Sequence, residues 1–197
     1  MPFGISGDYL LYDQLLAALP GVAAVAVNGT AHPGAYSGIP MDDFFAVPLA
    51  DRYFEDYVPG LVVECGGVPV SEASIVEFAA AFDPHAMHVD PVAALAGPFG
   101  SLIASGWHTT AVMMRMMVDN YLNERTSLGS PGVDTLRWHR PVRAGDILSA
   151  RFTVVSARVS ASKPDRGLVH TRIEVVDQAG ALVMSQVMMN LILRRAV

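Results

Sequence analysis

SLIASGWHTTAVMMRMMVDNYL, residues 101–122, decides the architecture. Trp107, Thr110, Ala111, Met114, Val118 and Tyr121 recur at the three- and four-residue steps of a helix. Met113, Met116 and Met117 spread the apolar surface well beyond that stripe. A helix apolar on most of its sides has to be enclosed, so this one is expected at the centre of the domain. Past this helix the period changes. Residues 133–142, 147–160, 168–177 and 182–194 are β-rich runs, several of them alternating, separated by the turn signals RAGD, SKPDRG and DQAG. One long apolar helix and then four long antiparallel strands predict an α+β fold, a strongly curved sheet wrapped around the helix.

Upstream, GLVVECGGVPVS (60–71) reads as a strand pair, or as one strand leading into a helix start. Ser71 is placed to cap EASIVEFAAAF, whose Ile75, Phe78, Ala79 and Phe82 form one apolar stripe. Pro84 disfavours helix at Asp83, so FDPHAMH (82–88) is expected to turn. Asp90-Pro91 signals a new start and Gly97 a stop, giving a short helix over VAALA (92–96). Residues 1–43 contain no Lys or Arg, the first basic residue being Arg52. They are expected to form an appended arm, with a helix over 6–19 and a loop over 28–40, ahead of one domain at 44–197.

The chain has 197 residues, 52% hydrophobic and 16% charged, with ten methionines. That supports one well-buried domain with apolar surface left over, hence a homodimer or higher homo-oligomer. A net charge of −6 without any basic block argues against nucleic acid as a partner. Cys65 stands alone, which excludes an internal disulfide and suits a reducing cytoplasm. No apolar run reaches membrane-spanning length, and LLAALPGVAAVAV (15–27) lacks the basic flank of a signal peptide, so a cytoplasmic protein with no membrane partner is expected.

The chemistry-bearing residues gather in FDPHAMHVDP (82–91), where two of the six histidines sit among acids and turn formers. By spacing alone, Asp83 is a helix-terminal turn residue and His88 a hydrogen-bonded loop histidine as readily as a catalytic pair. His85, His88 and Asp90, with His108, have the donor types of a metal site, although Pro84 and Ala86 do not aim both imidazoles at one point. Asp90 reads as a helix cap.

In order, RYFEDYVPG (52–60), the Ser-capped helix, FDPHAMHVDP, SLIASGWH (101–108) and LRWHRPVRAGDIL (136–148) resemble the MaoC-like dehydratases, which include the (R)-specific enoyl-CoA hydratases. The resemblance covers roughly residues 44–194 and implies a single hot-dog fold. Asp83 and His88 fall on the Asp and His of the family's Gly-Asp-x-Asn-Pro-aliphatic-His motif, while Phe82, His85 and Ala86 depart from its Gly, Asn and Pro. IASG (103–106) resembles the family's Ile-Ala-His-Gly, with Ser105 in place of His and Gly106 retained.

The resemblance implies a hydro-lyase that interconverts a trans-2-enoyl thioester and its (R)-3-hydroxyacyl form, on CoA or acyl carrier protein. Asp83 and His88 would activate water, Gly106 N–H would bind the thioester carbonyl, and Ser105 and Met114 would meet the substrate. Met113, Met116 and Met117 fit an acyl tunnel or, more simply, core. Arg137, Arg140 and Arg143 are candidates for phosphate contacts. No metal, redox nucleotide or prosthetic group is implied. A non-catalytic acyl-thioester binder and a thioesterase on the same fold are the competing readings.

Overall fold

The computed structural model describes residues 47–196. The arm expected at 1–43, with its helix and loop, lies outside the described residues. Among the described residues there are five strands: β1 (Val62–Pro69), β2 (Gly132–Trp138), β3 (Ile147–Val159), β4 (Arg166–Val176) and β5 (Leu182–Leu193). They form one sheet in the order β1-β3-β4-β5-β2, and each pair is antiparallel. Four helices accompany it: α1 (Glu72–Phe82), α2 (Ala86–Val89), α3 (Pro91–Ala96) and α4 (Gly106–Asn120). The architecture is the α+β hot-dog fold, with α4 as the central helix. Of the two readings of residues 60–71, the single strand leading into a helix is the one observed.

The strands alternate as a sheet covered on one face must. Leu148, Ala150, Phe152 and Val154 of β3 are buried, and so are Val169, Thr171, Ile173 and Val175 of β4. Register pairs Phe152 with Ile173 and Ala150 with Val175, so these side chains share the inner face. Register shifts at Gly66/Val68, Val133/Thr135 and Val154/Ser156 give the local bends that let a sheet curl.

The inner face closes on α4 through Met113, Met116 and Met117, each at most 2% exposed. Trp107, Met114 and Val118 lie on the outer side of the helix, 58%, 37% and 44% exposed. Both faces are apolar and share one period, so hydropathy alone does not say which meets the sheet. Tyr121 anchors the end of the helix: its ring stacks on Phe152 at 5.3 Å and its hydroxyl lies 2.9 Å from Thr171 Oγ1.

The caps agree with the sequence. Ser71 Oγ accepts from Ser74 N–H at 3.0 Å, and Asp90 Oδ1 accepts from Val92 and Ala93 N–H at 2.9 and 3.0 Å. The expected turn at 82–88 holds one short helix, α2. Phe82, expected in the stripe of α1, is instead 75% exposed at its last turn. Among the described residues, no helix is long and apolar enough to cross a membrane.

His108 on α4 is buried and stacks on Phe78 with ring centroids 5.0 Å apart. Burial pushes its pKa below the ordinary histidine value. An unfolded chain takes up that proton as pH falls through about 6.5, while the folded chain resists it, so acid favours unfolding. His108→Phe keeps a stacking ring and removes the titrating group. Its Tm should therefore fall less than that of the wild type between about pH 7.5 and about pH 5.5, measured by thermal melts.

Candidate active site

α1 ends where Pro84 forbids its continuation. Asp83 N–H closes the last turn on Ala79 O at 2.8 Å, and Asp83 then leaves helical geometry with φ −153° and ψ 66°. The one-turn α2 carries the chain around so that His88 faces back toward Asp83. His88 Nδ1 lies 2.8 Å from Ile103 O. A carbonyl only accepts, so Nδ1 carries the hydrogen and Nε2 of the neutral ring is left with its lone pair. That Nε2 is 3.5 Å from Asp83 Oδ2. Ile103 is fixed in turn by its own N–H to Met87 O at 3.1 Å and by a bridge to Arg143.

The carboxylate of Asp83 is held from two further sides. Ser105 Oγ–H donates to Oδ2 at 2.7 Å, and His85 Nδ1 lies 2.5 Å from Oδ1. Hydrogen bonding from Ser105, then from His85, holds the Asp83 pKa below the ordinary carboxylate range. Asp83 is thus a carboxylate at neutral pH, and in the neutral form of His88 it faces an imidazole lone pair. Two acceptors at this distance have no hydrogen of their own to share, and a molecule donating one hydrogen to each satisfies both.

The second part of the site is the start of α4. Ser105 is its N-cap, and Ser105 Oγ also accepts from Trp107 N–H at 3.3 Å. Gly106 is the first helical residue, so its N–H has no acceptor within the helix. Gly106 lines a cavity of about 340 Å³ together with His88, Ile103, Thr109, Trp138 and Arg140. Trp138 of β2 lies flat against this glycine. A Cβ added at Gly106 would fall 2.6 Å from the indole, so only glycine permits the approach.

The structure therefore brings together Asp83, His88, Ser105 and Gly106, from three segments of the chain. Ser105, expected to meet substrate, uses its hydroxyl on Asp83 and on the helix start. Met114, also expected to meet substrate, lies on the outer face of α4, away from the residues that line this cavity. Thr109 and Trp138 line the cavity without having been anticipated; Trp138 is an exposed aromatic on an edge strand, which only tertiary structure places beside a helix start. Of the three arginines, Arg143 is bound up with Ser101 and with Phe99 O, Arg137 donates to its neighbour's carbonyl, Leu136 O, and Arg140 reaches the cavity beside Asp177. Asp90 is engaged in capping α3, and among the described residues no group of three His, Cys, Asp or Glu side chains is disposed to hold a metal ion.

The chain is similar in sequence and in fold to known proteins. Residues 59–177 match the model of the MaoC like domain. The 3-hydroxyacyl-thioester dehydratase Z of Mycobacterium tuberculosis is 31% identical over 114 residues, spanning 57% of this chain and 76% of that protein. The crystal structure of the MaoC-like dehydratase from Rhodospirillum rubrum superposes with a TM-score of 0.69 at 33% identity, over 74% of this chain and 99% of that one. The R-hydratase PhaJ1 of Pseudomonas aeruginosa, at 24% identity and a TM-score of 0.59 over 73% of this chain and 86% of its own, shares the fold. The match to the family model covers more than half of the residues, and the chain belongs to the MaoC-like dehydratase family.

Proposed function

We propose that the protein adds water to a trans-2-enoyl thioester, or removes it from the (R)-3-hydroxyacyl thioester, with Asp83 and His88 as its acid–base pair. The observation that carries this reading is the 3.5 Å approach of His88 Nε2 to Asp83 Oδ2, with His88 oriented by Ile103 O behind it and Asp83 held by Ser105 at that same oxygen and by His85 at the other. In the hydration direction, a water donates one hydrogen to Nε2 and one to Oδ2, which turns its lone pair toward Cβ. As the O–Cβ bond forms, the pair takes one proton from the water and passes that same proton to Cα, so that hydroxyl and hydrogen of one water end on Cβ and Cα and the pair returns to its starting state. Negative charge builds on the thioester oxygen meanwhile, and the Gly106 N–H at the N-terminus of α4 is the donor available to it.

Incubation with a short trans-2-enoyl-CoA should bleach the conjugated absorbance without releasing free thiol. Thiol release would make the protein a thioesterase, and silence across a panel of enoyl-CoA and enoyl-carrier-protein substrates would favour a non-catalytic binder. Asp83→Asn and His88→Gln should each lower kcat by about 10²–10⁴-fold, the usual worth of a positioned acid–base group, with the fold retained by circular dichroism. Near-normal turnover in either variant defeats the assignment.

Ser105→Ala tests the electrostatics. The Ser105 hydroxyl stabilises the ionised form of Asp83, so its loss raises the Asp83 pKa. The acid limb of kcat/KM should then shift to higher pH, with the plateau reached later than in the wild type.

We also propose that a second copy covers the outer face of α4. Trp107, Met114 and Val118 form a helical-period stripe, and the neighbouring edge strand β2 exposes Val133 and Trp138. An apolar helix face beside an open sheet edge is an association surface. Sedimentation should show a dimer, and Val118→Glu should shift it toward monomer at equal concentration.

A further inference from the structure

The geometry points to His85 as a positioning residue: its ring N–H holds the outer oxygen of Asp83, so that the inner oxygen stays aimed at His88 and Ser105. This rests on the acid–base pair proposed above. His85 is the N-cap of α2, yet its side chain makes no capping hydrogen bond. A cap position is ordinarily served by Ser, Asn or Asp, whose oxygen accepts a helix N–H. Here the ring is turned the other way, onto Asp83 Oδ1 at 2.5 Å.

The contact is chemically one-directional. An ionised carboxylate only accepts, so Nδ1 of His85 is the donor whether the ring is neutral or charged. Pro84 stands between the two residues, and His85 N–H donates to Asp83 O at 2.8 Å, so the backbone presenting the ring is itself fixed. Without this contact the carboxylate is held by hydrogen bonds at Oδ2 alone, and rotation about its last bond is opposed by Ser105 only. With it, the plane of the carboxylate is gripped at both oxygens. The ring of His85 is 71% exposed while that of His88 is 6% exposed, so the outer histidine is free of the core packing that fixes the inner one. An exposed pair of this kind contributes little to stability, and the effect belongs in turnover.

The test is His85→Ser, a stronger helix cap whose side chain is too short to repeat the ring contact. Its Tm should equal or exceed that of the wild type, KM should stay within about twofold, and kcat should fall about ten- to a hundredfold, as expected for a misplaced reacting group. His85→Asn puts an amide N–H near the place of Nδ1 and should recover most of the loss. Unchanged kcat in His85→Ser, a loss confined to KM or Tm, or no recovery in His85→Asn overturns the proposal. A measurement independent of activity separates it from the functional reading. Proton–proton couplings across the Asp83 Cα–Cβ bond should report one side-chain rotamer in the wild type and averaging in His85→Ser. If the wild type hydrates nothing yet the rotamer loosens, the acid–base reading fails and the positioning contact stands. If the couplings do not change, the positioning contact fails.

Discussion

A carbonyl oxygen cannot donate, and at Ile103 that simple constraint fixes which nitrogen of His88 bears a hydrogen. The consequence runs outward in both directions. Toward the site, it leaves Nε2 as an acceptor facing a second acceptor, Asp83, and so creates a position suited to a molecule with two hydrogens to give. Toward the scaffold, it joins α2 to the segment that leads into α4, and that segment is further tied to β2's continuation by Ala104 N–H on Val142 O at 2.8 Å. Asp83 and His88 on one side and the start of α4 on the other are therefore set against each other by one short run of backbone, residues 103–106.

That run is rigid because of what lies beyond it. α4 is pinned along its length by three methionines against the sheet and at its end by Tyr121, so its N-terminus cannot drift relative to β2. Trp138 then closes on Gly106 from the strand side. Methionine suits this packing because an unbranched side chain fills an inner face whose curvature changes at each register shift. The same helix presents a second apolar face outward. A helix that must satisfy both a sheet on one side and an open apolar surface on the other has a reason to carry methionines on both faces.

Much of this was legible in the sequence. The enclosed helix, the four long strands after it, the caps at Ser71 and Asp90 and the break at Pro84 each arise from local chemistry acting over a few residues. Asp83 and His88 stood out only through the resemblance of FDPHAMH to a family motif, because their five-residue step by itself suits a helix end and a loop histidine equally well. What did not show was long-range. Periodicity gave α4 two apolar faces of equal claim and did not say which of them meets the sheet. The Ser105–Asp83 hydrogen bond joins residues 22 apart, and Trp138 meets Gly106 from a strand 32 positions later, so no local rule announces either. Phe82 was placed in a core stripe because it has the right spacing, but α1 ends at its own turn and leaves it on the surface.

Two acids of like type in one motif show how partners, more than identity, assign roles. Asp90 has its Oδ1 engaged by two backbone N–H groups at the start of α3, and such a carboxylate has its business with the helix. Asp83 sits at a helix end, where no free N–H groups await it, and its hydrogen bonds come from side chains, one serine and one histidine. Side-chain donors leave room for a third neighbour and can be exchanged without unmaking the backbone. The buried imidazole of His88 is that neighbour, at a distance too long for a strong direct bond and short enough for one small molecule to join the two. A carboxylate kept ionised by donors that do not take its proton, beside an imidazole whose other nitrogen is already committed, is an arrangement with one open chemical task, and proton transfer at a bound water fits it.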